Sequence, residues 1–246
     1  MDEIGLIPLK GLPEVRPGDD LAGLLAACAG PLAQPGDVLV VTHKVVSKAE
    51  GRMRALEEVS PSPLAERYAD AWGKDPRQLE LVLQESASVL RMERGIVVSR
   101  TPHGLVCANA GVDRSNVPGE AVCLLPLDPD GSARRIGQRL ESALGYRVPV
   151  LISDSFGRPW RVGIVNVAIG VWGMRPVADY RGQLDPHGYR LEASLMATAD
   201  AMAAAAELAM GKTLQVPAVL VRGARYQAGD GSAAELVRPP QEDLFR

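Results

Sequence analysis

The chain has 246 residues, enough for one large domain or two modest ones, and 46% of them are hydrophobic, so a core can form without metals or disulfides. Lys plus Arg number 27 and Asp plus Glu 30; the net charge of -3 argues against a general nucleic-acid binder, which needs a basic face against phosphates. No apolar run reaches the roughly 18 residues of a membrane helix, and Met1-Asp2-Glu3 is no signal peptide.

Short β-branched runs predict strands at Asp37–Thr42, Gly95–Ser99, Leu105–Asn109, Ala121–Leu125, Val148–Ser153, Val162–Ile169 and Pro217–Arg222. Helical patterns lie between them. Asp19 or Asp20 caps a helix running to about Ala29, where Gly30-Pro31 stops it. Asp75-Pro76 opens a second, with Leu79, Val82, Leu83, Ala87 and Leu90 on one face. A third spans Ser132 to Leu144 and ends at Gly145; the longest spans Arg190 to Met210 and ends at Gly211. The alternation predicts an α/β (α+β) protein with mixed sheets. Leu105–Asn109 and Ala121–Leu125 are too close for a helical crossover, so part of the sheet is expected to be antiparallel. Residues 126–131 (PLDPDG) read as a turn and a weak domain boundary. The cysteines Cys28, Cys107 and Cys123 are odd in number and scattered, which reads as reduced core thiols of a cytoplasmic protein.

Polar residues that follow strands carry the chemistry, because a strand fixes the backbone while the loop exposes side chains. In Thr42-His43-Lys44-Val45-Val46-Ser47-Lys48-Ala49-Glu50-Gly51, two lysines four apart with hydroxyls suit a polyphosphate or a carboxylate; a solvated turn is the alternative. In the loop 109–119, Asp113 suits a divalent cation and Asn116 a phosphate, ribose or base; an Asx turn is the alternative. In Ser153-Asp154-Ser155-Phe156-Gly157-Arg158-Pro159-Trp160-Arg161, the Asp154-Ser155 pair reads as a hard-metal seat on a fixed stem. Arg158 and Arg161 are forked donors for an anionic acceptor, and Phe156 with Trp160 suggests a ring-stacking or lid role. Met210-Gly211-Lys212-Thr213 is not a P-loop: the glycine that motif needs is Ala206, and the segment ends a helix instead of opening one. Gly11-Leu12-Pro13-Glu14-Val15, taken alone, is an ordinary turn. With three histidines a His-rich metal centre is not expected, so a cation would be held by carboxylates, hydroxyls, carbonyls and a ligand's own oxygens. Two aspartates on separate strand-end loops, with lysines and arginines nearby, fit a metal–polyphosphate site.

The stretches GLPEV (11–15), THKVVSKAEG (42–51), ANAGVDRSNV (108–117), ISDSFGRPWRVG (152–163) and MGKT with VPAVLVRG (216–223) resemble, in order and spacing, the coenzyme F420:L-glutamate ligases, also called F420-0:γ-glutamyl ligases. The resemblance implies that family's own α/β fold with mixed sheets, neither P-loop nor ATP-grasp. It implies a single catalytic unit over 1–246, built as one body or two intertwined subdomains, with no C-terminal flavin-binding domain. It implies a homodimer with GTP, F420-0 and L-glutamate as partners, and no nucleic acid or membrane. GTP phosphorylates the carboxylate of F420-0, the amine of glutamate displaces the phosphate, and further glutamates join through γ-links. Carried over by residue, Asp113 and Asp154 resemble ligands of one divalent cation, Mg or Mn, and Ser155 a ligand of a second, with K as a monovalent aid. Asp113, Asp154 and Arg158 are the expected catalytic set. Leu12, Pro13, Glu14 and Val15 resemble one part of the GTP pocket; Thr42, His43, Ser47 and Lys48 a second; Asn116 a third; and Gly211 with Lys212, within Met210 to Gln215, a fourth. A non-catalytic nucleotide- or deazaflavin-binding protein, and a carboxylate–amine ligase with another acceptor, are the competing readings.

Overall fold

The computed structural model describes residues 3–243; Met1 and Asp2, read above for a signal, and Arg246 lie outside them. In chain order it has β1 (Gly5–Pro8), α1 (Leu21–Ala29), β2 (Val38–Thr42), α2 (His43–Ala49), β3 (Met53–Ala55), α3 (Pro63–Trp72) and α4 (Pro76–Gln84). There follow β4 (Ser88–Glu93), β5 (Ile96–Arg100), β6 (Val106–Ala108), β7 (Ala121–Cys123), α5 (Pro129–Leu144), β8 (Val150–Arg158) and β9 (Arg161–Trp172). Last come β10 (Ala178–Asp179), β11 (Leu195–Met196), α6 (Thr198–Met210) and β12 (Ala218–Arg222). The central sheet has the order β1-β12-β2-β8-β9; β2 and β8 run parallel and its other pairs antiparallel, so the sheet is mixed as expected.

The sheet is covered on both faces, which is why β2 and the start of β8 are continuous apolar runs. Alternation sends Leu39, Val41, Val150 and Ile152 to the face under α1 and α5, and Val38, Val40 and Leu151 to the face under α6. A third cluster, with Leu56, Leu79, Val82, Val97, Val122 and Leu124, gathers α3, α4 and the small sheets β3–β7 and β4-β5-β6. No described helix is long and apolar enough to cross a membrane. The cysteines are unbonded, with Cys107 and Cys123 buried and Cys28 partly so.

Several boundaries depart from the sequence reading. The Asp75 helix starts as expected, its cap carboxylate accepting from the Arg77 N–H at 2.9 Å, but it ends at Gln84. Ala87 donates to the Arg100 carbonyl and Leu90 lies in β4, because Arg94 and Gly95, both at positive φ, close a two-residue hairpin that draws the chain into β5. The 126–131 stretch holds a helix start: Asp128 caps α5 and Pro129 is its first residue, a position where proline costs no hydrogen bond. The helix expected over Arg190–Met210 exists only from Thr198; residues 190–195 are held extended by Leu191 and Leu195, which pair with Gln183 and Asp179 across a turn at Asp185–Gly188. The two strands expected at 105–109 and 121–125 are antiparallel, but with different partners, β5 and β3. Helices α2 and α3 were not expected.

Strand β9 is an edge, and its outward N–H groups are taken by carboxylates: Asn166 by Glu207 at 3.1 Å, Ala168 by Asp200 at 2.8 Å and Val171 by Asp130 at 2.7 Å. This blunts an edge that would otherwise template another strand. Burial raises the Asp200 carboxyl above its ordinary value, and the Ala168 N–H only partly offsets it. A raised native pKa means the ionised form costs stability above that pKa, and the cost disappears as pH falls through it. Asp200→Ala, which orphans the Ala168 N–H, is expected to lower unfolding free energy by about 1–3 kcal/mol. Asp200→Asn keeps an acceptor without the charge. It is expected to match or exceed wild type at neutral pH, with the difference shrinking on acidification. Urea melts across that range check both; an Asn variant as unstable as the Ala variant contradicts the account.

Candidate functional site at the carboxyl ends of the parallel strands

Thr42 and Ser153 are the last register pair of the parallel strands β2 and β8, at the carboxyl end of β2, the kind of place where open α/β sheets collect ligands. There β2 turns at once into α2, while β8 runs on through Asp154 and Ser155. The first two residues of α2 reach the two predicted metal-holding aspartates. His43 Nε2 is 3.2 Å from Asp154 Oδ1, and Lys44 Nζ is 2.6 Å from Asp113 Oδ2. Lys44 also donates to the Ser115 carbonyl at 3.0 Å and to its hydroxyl. Asp113 is brought there by mutual backbone bonds with Cys123, whose strand β7 pairs with β3 just beyond α2.

Asp113 does form the Asx turn of the alternative reading, its carboxylate accepting from the Ser115 N–H at 2.7 Å and hydroxyl at 2.8 Å. The same carboxylate faces Lys44, so the turn positions the acid instead of replacing its role. Burial is the largest single influence on this group and pushes it up; Lys44 and Ser115 together outweigh it, and the carboxyl lies below its ordinary value.

The Asp154-Ser155 pair does not form a single seat. As neighbours in an extended strand their side chains leave on opposite faces. Asp154 meets α2; Ser155 donates to Asn166 Oδ1 at 2.7 Å and accepts from Lys212 Nζ at 2.5 Å. Gly211 ends α6 at positive φ and so turns Lys212 toward β8. On the outer side of α2, Lys48 pairs with Glu14 at 2.5 Å and Gly18 donates to the Ala49 carbonyl, which lays Leu12, Pro13, Glu14 and the buried Val15 along the helix. Thr42 is the N-cap residue of α2, and Asn116, exposed at positive φ, extends the Asp113 loop. Ser47 is fully buried and faces the His43 ring. Arg158 stands apart: it lies at the β8–β9 hairpin tip, where its Nη2 donates to the Val162 carbonyl at 2.7 Å. Phe156 packs on the core under α1 and α5, the plug arrangement, while Trp160 at the tip is exposed.

Sequence reasoning passed over Asn166, Glu207 and Ser115. Asn166 had a signal, as the lone polar residue of the run Ile164–Ile169; Glu207 had none, because its place beside β9 depends on how α6 docks. Among the described residues no three His, Cys, Asp or Glu side chains gather closely enough to hold a metal alone. A hard cation here therefore takes part of its shell from hydroxyls and a ligand's oxygens. The donor set fits one, since Asp154 Oδ2 is clear of hydrogen bonds while Oδ1 accepts from the Ser155 N–H at 2.7 Å. The site is a ledge beyond the end of the inner strand β2. Two hollows lie elsewhere, one of about 220 Å³ beneath His103, Leu105 and Ile169, another beside Arg134, Arg147 and Trp172.

Comparison with known proteins agrees with the order of these segments. The family model described as F420-0:Gamma-glutamyl ligase matches residues 11–223. A coenzyme F420:L-glutamate ligase of Methanothermobacter thermautotrophicus is 45% identical over 251 residues, covering 99% of both chains. That of Methanopyrus kandleri is 45% identical over 245 residues, 98% of this chain and 96% of its own, and that of Archaeoglobus fulgidus 42% over 244 residues, 99% and 96%. A match that spans every segment of the ledge, at this identity, places the chain in the F420-0:gamma-glutamyl ligase family.

Proposed function

We propose that the protein joins L-glutamate to the deazaflavin precursor F420-0 by an amide bond in coenzyme F420 biosynthesis, that GTP drives the reaction through an acyl phosphate, and that further glutamates follow through γ-links. The observation that carries the reading is that Asp113 and Asp154, 41 residues apart in the chain, contact consecutive residues, Lys44 and His43, at the start of one helix. Such a pair suits a divalent cation and the phosphates it accompanies.

Asp113 and Asp154 would hold one divalent cation, Mg or Mn, and Ser155 on the opposite face of β8 a second, with K as a monovalent aid. Bound there, the cations offset the charge of the triphosphate. A carboxylate oxygen of F420-0 attacks the γ-phosphorus and GDP leaves; the glutamate nitrogen then attacks the acyl carbon, loses its proton and expels phosphate. The chain's own part is positioning. Lys44, Lys48 and Lys212 are compact charges at the rim, and each already contacts an oxygen of another segment. Lys44, now paired with Asp113, would be available to a phosphate if that carboxylate held a cation. Leu12 to Val15, Thr42 and Asn116 form the nucleotide's walls. The working unit is a homodimer.

The test is GDP release with mass spectrometry of the deazaflavin. The expected result is release that requires L-glutamate, F420-0 and a divalent cation together, and a deazaflavin heavier by whole glutamate residues. Saturable binding of either ligand with no phosphate release overturns it in favour of a binding protein.

A further inference from the structure

The geometry points to His43 as a positioning residue for Asp154: a buried imidazole that holds one carboxylate oxygen and so turns the other toward the cation. This rests on the cation-holding role just given to Asp154. His43 is 2% exposed and Ser47 beneath it 0%, so the ring faces inward and is no part of the nucleotide-contacting surface. Its place follows from topology. Thr42 is paired with Ser153 on parallel strands, and the next residues on each, 43 and 154, come side by side.

The Asp154 contact fixes where a ring hydrogen must lie. Nε2 lies 3.2 Å from Asp154 Oδ1, off the line of a hydrogen bond, and has no other polar partner among the described residues. Nδ1 is 3.4 Å from Ser47 Oγ. An ionised carboxylate only accepts, so the Asp154 contact requires a hydrogen on Nε2, while the Ser47 hydroxyl serves Nδ1 as donor or as acceptor. Oδ1 receives the Ser155 N–H at 2.7 Å and faces the His43 ring, so two rigid elements border it. Oδ2 is left as the ligand. Outer partners of this kind typically carry about 10–100-fold in metal affinity.

The experiment is Mn²⁺ binding to the full chain with GDP present, read by loss of the free-ion EPR signal. Gln and Asn both replace the ring by an amide: His43→Gln carries its nitrogen to the Nε2 position, and His43→Asn only to that of Nδ1. The expected result is Mn²⁺ binding within about threefold of wild type for His43→Gln and weakened about tenfold or more for His43→Asn. Equal affinity of the two variants, or tighter binding by His43→Asn, overturns the proposal. Asp154→Ala is the reference. If it binds Mn²⁺ as wild type does, the cation reading of Asp154 fails and takes this one with it; if it loses Mn²⁺ while the two His43 variants stay equal, this proposal alone fails. A measurement on the wild-type chain is independent of how the variants fold. Nitrogen-15 histidine NMR is expected to show a hydrogen on His43 Nε2, and an Nε2 that carries none overturns the proposal.

Discussion

Replacing Asp154 by asparagine is expected to lower glutamate-dependent GDP release by about a hundredfold or more, the scale of losing one preorganised electrostatic group at a reacting phosphate. The fold is expected to stay intact. Asp154 lies on β8 with its side chain 13% exposed, and its structural duties are to accept the Ser155 N–H and to face His43. An asparagine oxygen performs both. What it lacks is the charge that draws in a divalent cation. Asp154→Asn is therefore expected to melt near the wild-type temperature, while Asp154→Ala, which gives up both contacts, melts lower by an amount of about 1 kcal/mol. Turnover and thermal melts on the two variants separate chemistry from folding. An Asn variant with wild-type turnover removes Asp154 from the reaction.

The second large effect is on stability and concerns how α5 lies on β9. Gly137 is an interior helix residue, and a Cβ built there stands 2.0 Å from the Trp172 ring. Trp172 cannot simply step aside, because its ring is buried and Arg147 lies over it with its guanidinium carbon 4.4 Å from the ring centre. Gly170 on β9 is tighter still in kind: its Cβ stands 2.5 Å from the Pro129 carbonyl oxygen, a backbone atom at the start of α5. The two glycines are the close-approach points of one helix–strand contact. Adding a methyl at either forces the helix off the sheet, and overpacking of this sort costs about 3 kcal/mol, or roughly 10 °C in a chain of this size. Gly137→Ala gains helix propensity worth about 1 kcal/mol, so Gly170→Ala is expected to be the worse of the two. Gly157→Ala is the control: its Cβ meets nothing within 4 Å and its φ is not positive, so its melt is expected to stay near wild type. A Gly170→Ala melt equal to the control contradicts this account of the contact.

Local chemistry explains which parts of the fold were legible beforehand. Strands such as Val38–Thr42 and Ala218–Arg222 are apolar because both faces of the central sheet are covered, and such runs stand out in any sequence. The Asp20 and Asp75 caps and the Gly145 stop are side-chain or backbone properties that act within four residues. The helix over-read at Arg190–Ala197 has a different origin. Residues 190–195 are taken by hydrogen bonds from 179–183, and no helical periodicity records a competing partner. Helix α2 was obscured by the same chemistry that makes it useful, since polar residues needed at the ledge interrupt its apolar pattern.

The amino-acid sequence by itself determined the class of fold, the family to which the chain belongs, and the residue types available at the strand ends. Those are properties of side chains and of short-range backbone preference. Only the tertiary structure decided that His43 and Lys44 of one helix turn gather Asp154 and Asp113, that Asp154 and Ser155 serve opposite faces, and that Arg158 sits out on the hairpin tip. The reason is geometric. Which side chains converge depends on the parallel pairing of β2 with β8 and on strand alternation, and both are set by packing between segments more than a hundred residues apart.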